Sequence, residues 1–168
     1  GLAIRFEETD VRPMGRQARG VKAISLREGD CVVGMCVVTN DDLILTASET
    51  GFGRISNVSD YRLQSRGGKG ITNYHTEKYG NVAAVSVVEL TDDIIIISQE
   101  GVIIRIAADT VRICNRPSKG VTLMRIGEND KVVTVARAPH EDSSKEETSE
   151  EVSEDNTAEM SKEENTEE

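Results

Sequence analysis

Positive charge recurs in a fixed pattern ahead of three glycines set 50 residues apart: Arg16 and Arg19 before Gly20, Arg66 and Lys69 before Gly70, Arg116 and Lys119 before Gly120. The register extends to Arg12, Arg62 and Arg112, and to the glycines that open each unit, Gly1, Gly51 and Gly101. The windows Val11–Arg27, Tyr61–Thr76 and Val111–Ile126 hold five, three and four Lys/Arg, which is 12 of the 18 basic residues before Pro139, and none of the 17 Asp/Glu. An ordinary solvated surface intersperses the two signs. Cations segregated onto one recurrent loop per repeat form a positive rim, and the chemistry that suits such a rim is the binding of a polyanion along a path.

Other chemistries find little footing. Gly67-Gly68-Lys69-Gly70 lacks the spacing of a phosphate-cradling P-loop, and Ile71 stands where the Ser or Thr of that motif would be. Cys31, Cys36 and Cys114 form no CxxC pair and read as small buried thiols in a reducing compartment. His75 and His140 stand apart from each other and from any nucleophile motif, so neither is given a catalytic role. The expectation is no catalytic residue, no metal site and no cofactor in this chain.

The elements that must position the loops read as short strands. Leu2–Phe6, Gly53–Ser56 and Val102–Ala107 follow the opening glycines. After each loop come Val21–Leu26, Ile71–His75 and Val121–Ile126, then Cys31–Val38, Val82–Val88 and Val132–Ala138, and finally Leu43–Ala47 and Ile94–Ser98. A repeat of this length built from strands and turns predicts a propeller-like array of about three four-stranded blades, with units starting near residues 1, 51 and 101. Ile94–Ile97 is apolar at four successive positions, so both faces of that strand must be covered, as stacked sheets would do. The sheet neighbour of the opening strand would lie upstream of Gly1. The array is therefore expected to be open, with a strand edge available for self-association.

Charge divides the chain in two. Residues 1–138 carry 18 basic and 17 acidic residues, a net of +1, while 139–168 carry two and 13, a net of -11. The second segment is rich in Glu, Ser, Thr and Asn with no aromatic residue, a composition that predicts a disordered acidic tail. The first is long enough for one domain whose core rests on Val, Ile and Leu, since Trp is absent and aromatics are 3% of the chain. No run approaches the roughly 18 apolar residues of a bilayer span, and no charged-then-apolar leader opens the chain, so a soluble cytoplasmic protein is expected.

At the basic loops the sequence resembles a known family. Tyr61-Arg62-Leu63-Gln64-Ser65-Arg66-Gly67-Gly68-Lys69-Gly70, flanked by Gly51 and by Asp92-Asp93-Ile94-Ile95-Ile96-Ile97, is similar to a blade of the C-terminal domain of bacterial DNA gyrase A proteins. Gly1–Phe6 running on to Asp10-Val11-Arg12, and Gly101–Ile106 with the acidic tail, resemble that family's later blades and its C-terminal end. The heptad Gln64–Gly70 is close to the family's signature box, Gln-Arg-Arg-Gly-Gly-Arg-Gly, and reads as a later-blade echo of it. The resemblance implies an all-β β-pinwheel that wraps double-stranded DNA around its perimeter. It further implies a place in an ATP-dependent type II topoisomerase that introduces negative supercoils, a bacterial cytoplasmic, nucleoid-associated enzyme.

By this likeness DNA contact falls on Arg12, Arg16, Arg19, Lys22, Arg62, Arg66, Lys69, Arg112, Arg116 and Lys119. The implied partners are DNA, the remainder of the gyrase A protein and the gyrase B protein in an A2B2 assembly, with ATP and Mg used by other domains. Tyr61, Tyr74 and Tyr79 are left structural or surface roles. The C-terminal domain of the topoisomerase IV C protein is the near alternative, and a non-enzymatic propeller-type interaction module the distant one.

The tail generates one expectation of its own. A flexible segment of 30 residues (139–168) spans roughly 30 Å end to end, enough to reach nearby loops and compete with DNA for them. Deleting 139–168 should strengthen DNA binding, and the gain should shrink as the Debye length falls from about 10 Å at 0.1 M salt to about 3 Å at 1 M. Equal affinities with and without the tail at low salt would show that it has no such role.

Overall fold

The computed structural model describes residues 1–140, so the acidic tail from Glu141 onward lies outside the described residues. The described residues form nine strands: β1 (Leu2–Ala3), β2 (Leu43–Ser48), β3 (Phe52–Asn57), β4 (Ile71–Thr72), β5 (Val82–Val88), β6 (Asp92–Ser98), β7 (Ile103–Ala107), β8 (Val121–Thr122) and β9 (Val132–Pro139). One helical turn, α1 (Thr76–Tyr79), follows β4, and 3-10 turns at Glu8–Asp10, Val58–Asp60 and Ala108–Thr110 precede the three basic loops.

Two hairpins anchor the fold, β2–β3 and β6–β7, and each straddles a boundary between repeats. Gly51 N–H donates to Ser48 O (3.0 Å) and Gly101 N–H to Ser98 O (3.1 Å), closing the two turns alike. The sheets are all antiparallel, in the orders β1–β4, β5–β2–β3–β8 and β7–β6–β9. The expectation of propeller-like four-stranded blades holds, but a blade is not one repeat. The complete blade takes β2 from the first repeat, β3 and β5 from the second and β8 from the third. Each post-loop strand leaves its own unit to pair with the preceding one: β4 on β1, β8 on β3.

This exchange explains two sequence expectations that the structure overturns. Val21–Leu26 and Cys31–Val38 form no strands. Their equivalents one repeat later, β4 and β5, pair with Leu2–Ala3 and Leu43–Ser48, and partners one period of 50 before these would fall ahead of Gly1. Met35 and Val37 are accordingly 84% and 86% exposed. Cys31 is exposed, and Cys36 and Cys114 are half-buried, so the three thiols are free but not buried as expected. The post-loop strands are also shorter than the alternation suggested, two residues at β4 and at β8.

Burial follows the alternation of the central strands. On one face Leu45, Ala47, Ile55 and Val88 of the four-stranded sheet pack against Ile94, Ile96 and Val132 of the next. On the other, Ile44, Val58 and Tyr61 meet Ala3 and Ile71 from the β1–β4 pair. The four-stranded sheet is thus covered on both sides, with β2 buried from Ile44 to Ser48, whereas β6, both faces of which were expected to be covered, buries Ile94 and Ile96 and leaves Ile95 and Ile97 half-buried. Burying a Val, Leu or Ile side chain is worth about 1.5–3 kcal/mol, which allows a core almost free of aromatics to hold.

At the outer blade, charges close the strand ends. Asp93 Oδ2 accepts from Arg105 Nε at 2.6 Å, and its other oxygen lies 2.9 Å from His140 Nδ1. Those contacts, His140 first and then Arg105, hold the Asp93 carboxyl below its ordinary range against the opposing effect of desolvation. A depressed carboxyl stabilises the fold above its unfolded value near about 3.9, and that stability is lost as pH falls through the lower folded value. Melting temperature should therefore drop as the protein is acidified below about pH 4. Asp93→Asn should melt lower at neutral pH and show a flatter acid decline, measured by circular dichroism.

Candidate nucleic-acid interface

The three loops are built alike and lean on one another. After their 3-10 turns the second and third loops run briefly parallel to the preceding unit, bridging Arg5 to Leu63 and Ile55 to Ile113. Gln64 N–H donates to Arg5 O at 2.8 Å, and Cys114 N–H to Ile55 O at 2.8 Å. The chain then turns through the glycines and adds β4 or β8 to that same neighbour. Because the second and third loops are each tied at both ends to the unit before, the basic segments around residues 12–22, 62–69 and 112–119 follow one another in a row.

Of the ten cations expected to contact DNA, Arg12, Arg16, Arg19, Lys22, Arg62, Lys69, Arg112 and Lys119 are exposed. The Lys119 ammonium sits 3.5 Å from the centroid of the Phe52 ring, a cation–π contact that fixes where the charge is presented. Arg66 and Arg116 differ. Both are half-buried, and each reaches back to the preceding unit: Arg66 donates from Nε to Asp10 O (3.1 Å) and from Nη1 to Lys22 O (2.6 Å). Arg116 donates from Nε to Asp60 O (2.9 Å) and from Nη1 to Thr72 O (2.5 Å), with its guanidinium 5.2 Å from the Tyr61 ring centroid.

Beneath the row lies a buried polar network that sequence reasoning missed. Arg54, fully buried in β3, donates from Nη2 to the backbone oxygen and Oδ1 of Asn73 (2.5 and 2.9 Å). Tyr61 OH donates to the same Oδ1 at 2.7 Å, and Asn73 Nδ2 donates to Thr46 Oγ1 at 3.3 Å. Tyr74 OH reaches Lys119 O at 3.0 Å, linking this network to the third loop. Desolvation by burial lowers the pKa of Arg54 and raises that of Tyr74. The network explains why Tyr61 and Tyr74 are structural residues. Arg54 gave no sign of its burial in the sequence beyond lying in a strand rather than in a basic loop.

What the arrangement offers is a line of exposed cations on a rigid, sheet-backed surface. Among the described residues no group of three His, Cys, Asp or Glu converges as a metal site would require.

A propeller-like array with a basic row along its blade-crossing loops defines the class, and comparison with known proteins gives the family. The family model for the DNA gyrase C-terminal domain, a β-propeller, matches residues 1–38, 42–89 and 92–139. The chain belongs to that family. It is 44% identical over 144 residues to the DNA gyrase A protein of Staphylococcus epidermidis, covering 84% of this chain and 16% of the relative. It is 43% identical over 151 residues to the Staphylococcus aureus gyrase A protein, covering 88% of this chain and 17% of that one. The chain thus spans about a sixth of the length of the relatives it matches. Among solved structures, a DNA gyrase A C-terminal domain superposes with a TM-score of 0.74 at 30% identity, covering 82% of this chain and 47% of that domain. The C-terminal domain of a DNA topoisomerase IV superposes at 0.76 with 25% identity, covering 83% and 44%.

The loop glycines bring the units together as well as turning the chain. Gly120 has φ of +82°, and a Cβ there would land on the Gly53 carbonyl and lie 2.8 Å from Arg54 Cβ. Gly20 has φ of +80° but no neighbour within 4 Å of such a Cβ. Gly20→Ala should cost about 1–2 kcal/mol, the left-handed backbone alone. Gly120→Ala should cost several-fold more because it also separates β8 from β3. Urea unfolding of the two variants checks this, and equal losses would show that the close approach is unimportant.

Proposed function

We propose that this domain binds duplex DNA without strong sequence preference along its basic row and bends it, as the DNA-wrapping part of a gyrase A protein. In that reading the intact enzyme is an ATP-dependent type II topoisomerase that introduces negative supercoils, and this domain supplies the curved path. Breakage, reunion and ATP use, with Mg, belong to the rest of the gyrase A protein and to the gyrase B protein of an A2B2 assembly in the bacterial cytoplasm. The observation that carries the reading is the row itself: three loops tied to one another, with ten exposed cations and no acidic residue in the basic windows.

The physics is adequate to the task. Bending 20–30 base pairs through 40–90° costs about 1–6 kcal/mol, which phosphate contacts spread along the curve can offset. Backbone contacts of this kind position DNA without reading its bases. The 43–44% identity to gyrase A proteins favours gyrase over topoisomerase IV, whose domain is similar in fold at 25%.

Binding should follow counterion release. With about four to eight phosphates neutralised, log affinity should fall against log salt with a slope of about -0.9 per phosphate. Arg62→Ala with Lys69→Ala, both exposed positions, should weaken binding to unrelated duplexes alike and reduce the slope. Fluorescence anisotropy against a salt series tests both, and a salt-insensitive affinity would sink the proposal.

A further inference from the structure

Two arginines of the basic row are used differently from the rest. Arg66 and Arg116 stand 50 residues apart and make the same pair of bonds, Nε to the last residue of the preceding 3-10 turn and Nη1 to the preceding post-loop segment. The acceptors are one repeat apart as well, Asp10 with Asp60 and Lys22 with Thr72. In both cases the planar fork spans two backbone carbonyls of the neighbouring unit, ahead of and behind its own basic loop. Arg16 occupies the same register in the first repeat, is exposed, and makes no such bond among the described residues.

We propose that Arg66 and Arg116 are positioning residues that set the angle between successive basic loops, and that they do not bind phosphate. The proposal rests on the DNA-wrapping reading and refines it. A guanidinium whose Nε and Nη1 both donate to backbone oxygens has two of its three nitrogens held by protein, so neither of its paired donor edges, Nε with Nη2 or Nη1 with Nη2, is free as a whole, while the other cations of the row are exposed. Tyr61 beneath Arg116 holds the plane of that group in place. The loops are irregular segments with few ladder bonds of their own, so a fork bridging both flanks of a loop is the contact best placed to fix its pitch relative to the next. The curvature imposed on a bound duplex depends on that pitch, whereas affinity for one turn of DNA depends on the exposed charges.

Lysine discriminates the two roles because it keeps the charge and loses the fork. The full chain would be prepared as Arg66→Lys/Arg116→Lys and as Arg66→Gln/Arg116→Gln, with Arg16→Gln as an exposed control at the same register. Three measurements apply: affinity and salt slope on a duplex of about ten base pairs, one helical turn; end-to-end energy transfer at saturation on a labelled duplex of about 30 base pairs; and amide exchange without DNA. The clamp predicts that the Lys and Gln variants behave alike. Both keep short-duplex affinity within about twofold and an unchanged salt slope, both bend the longer duplex less, and both exchange faster in residues 11–22 and 61–72 but not in β6. The Arg16→Gln control should lose slope by about 0.9, the value of one phosphate contact, without faster exchange.

Phosphate contact predicts the reverse: the Gln variant loses slope and the Lys variant behaves as wild type. That pattern, or unchanged amide exchange in both variants, overturns the proposal. If the double variants do not fold, judged by circular dichroism, the single Arg66→Lys and Arg116→Lys variants are read by the same criteria. Failure of the wild-type chain to bind any duplex would refute the wrapping reading by itself, and amide exchange would still decide the clamp.

Discussion

The structure depends on one constraint: the strand after the second and third basic loops pairs with the opening strand of the preceding unit. β4 on β1 and β8 on β3 are only two residues long, yet they oblige the second and third loops to leave their blades, touch their neighbours and return. Such short ladders could not stand alone in water. They persist because the residues that follow them are anchored too: Asn73 and Tyr74 amides donate to Gly1 O at 2.9 and 3.1 Å, and Leu123 and Met124 amides to Gly51 O at 2.8 and 3.1 Å. The repeat of these bonds at corresponding places in both pairs is the mechanical basis of the basic row.

Beneath that row the core does two kinds of work. Leu45, Ile55, Ile94 and Ile96 supply the apolar stacking that holds one sheet to the next. Arg54, Tyr61 and Asn73 instead form a buried polar knot between the four-stranded sheet and the end of β4. A buried guanidinium stripped of its hydrogen bonds is costly, by about 1.5–3 kcal/mol per bond to a charged group, so the knot admits few alternative registers. Apolar stacking alone would tolerate a slip between units. The polar knot makes the post-loop segment a defined point from which the third loop, through Tyr74 and Lys119, is measured.

Cations in this protein therefore serve in at least three ways that their residue type does not distinguish. Arg62, Lys69 and Arg112 present charge to solvent, Arg66 and Arg116 are turned back onto neighbouring carbonyls, and Arg54 is enclosed. Arg5 belongs with the second group, donating from Nη1 to Val58 O and Tyr61 O at 3.2 and 3.3 Å. A positive row of this kind is as much a product of where the backbone carbonyls lie as of where lysine and arginine occur.

The sequence by itself determined the repeat, the strand content, the family and the segregation of charge, because each is a one-dimensional pattern: a period of 50, apolar alternation and the absence of acid from three windows. It also located the strands of both hairpins, which are local pairings closed by short turns. Only the tertiary structure decided which strands share a blade, because the partner of each post-loop strand lies some 70 residues away and no local preference encodes a pairing at that distance. The same non-local step left Val21–Leu26, despite its alternation, and Cys31–Val38 without strand partners, and left Cys31 exposed and Cys36 half-buried where buried thiols were expected. It also separated Arg66 and Arg116 from the exposed cations beside them, since whether an arginine faces a phosphate or a carbonyl depends on backbone contributed by another repeat.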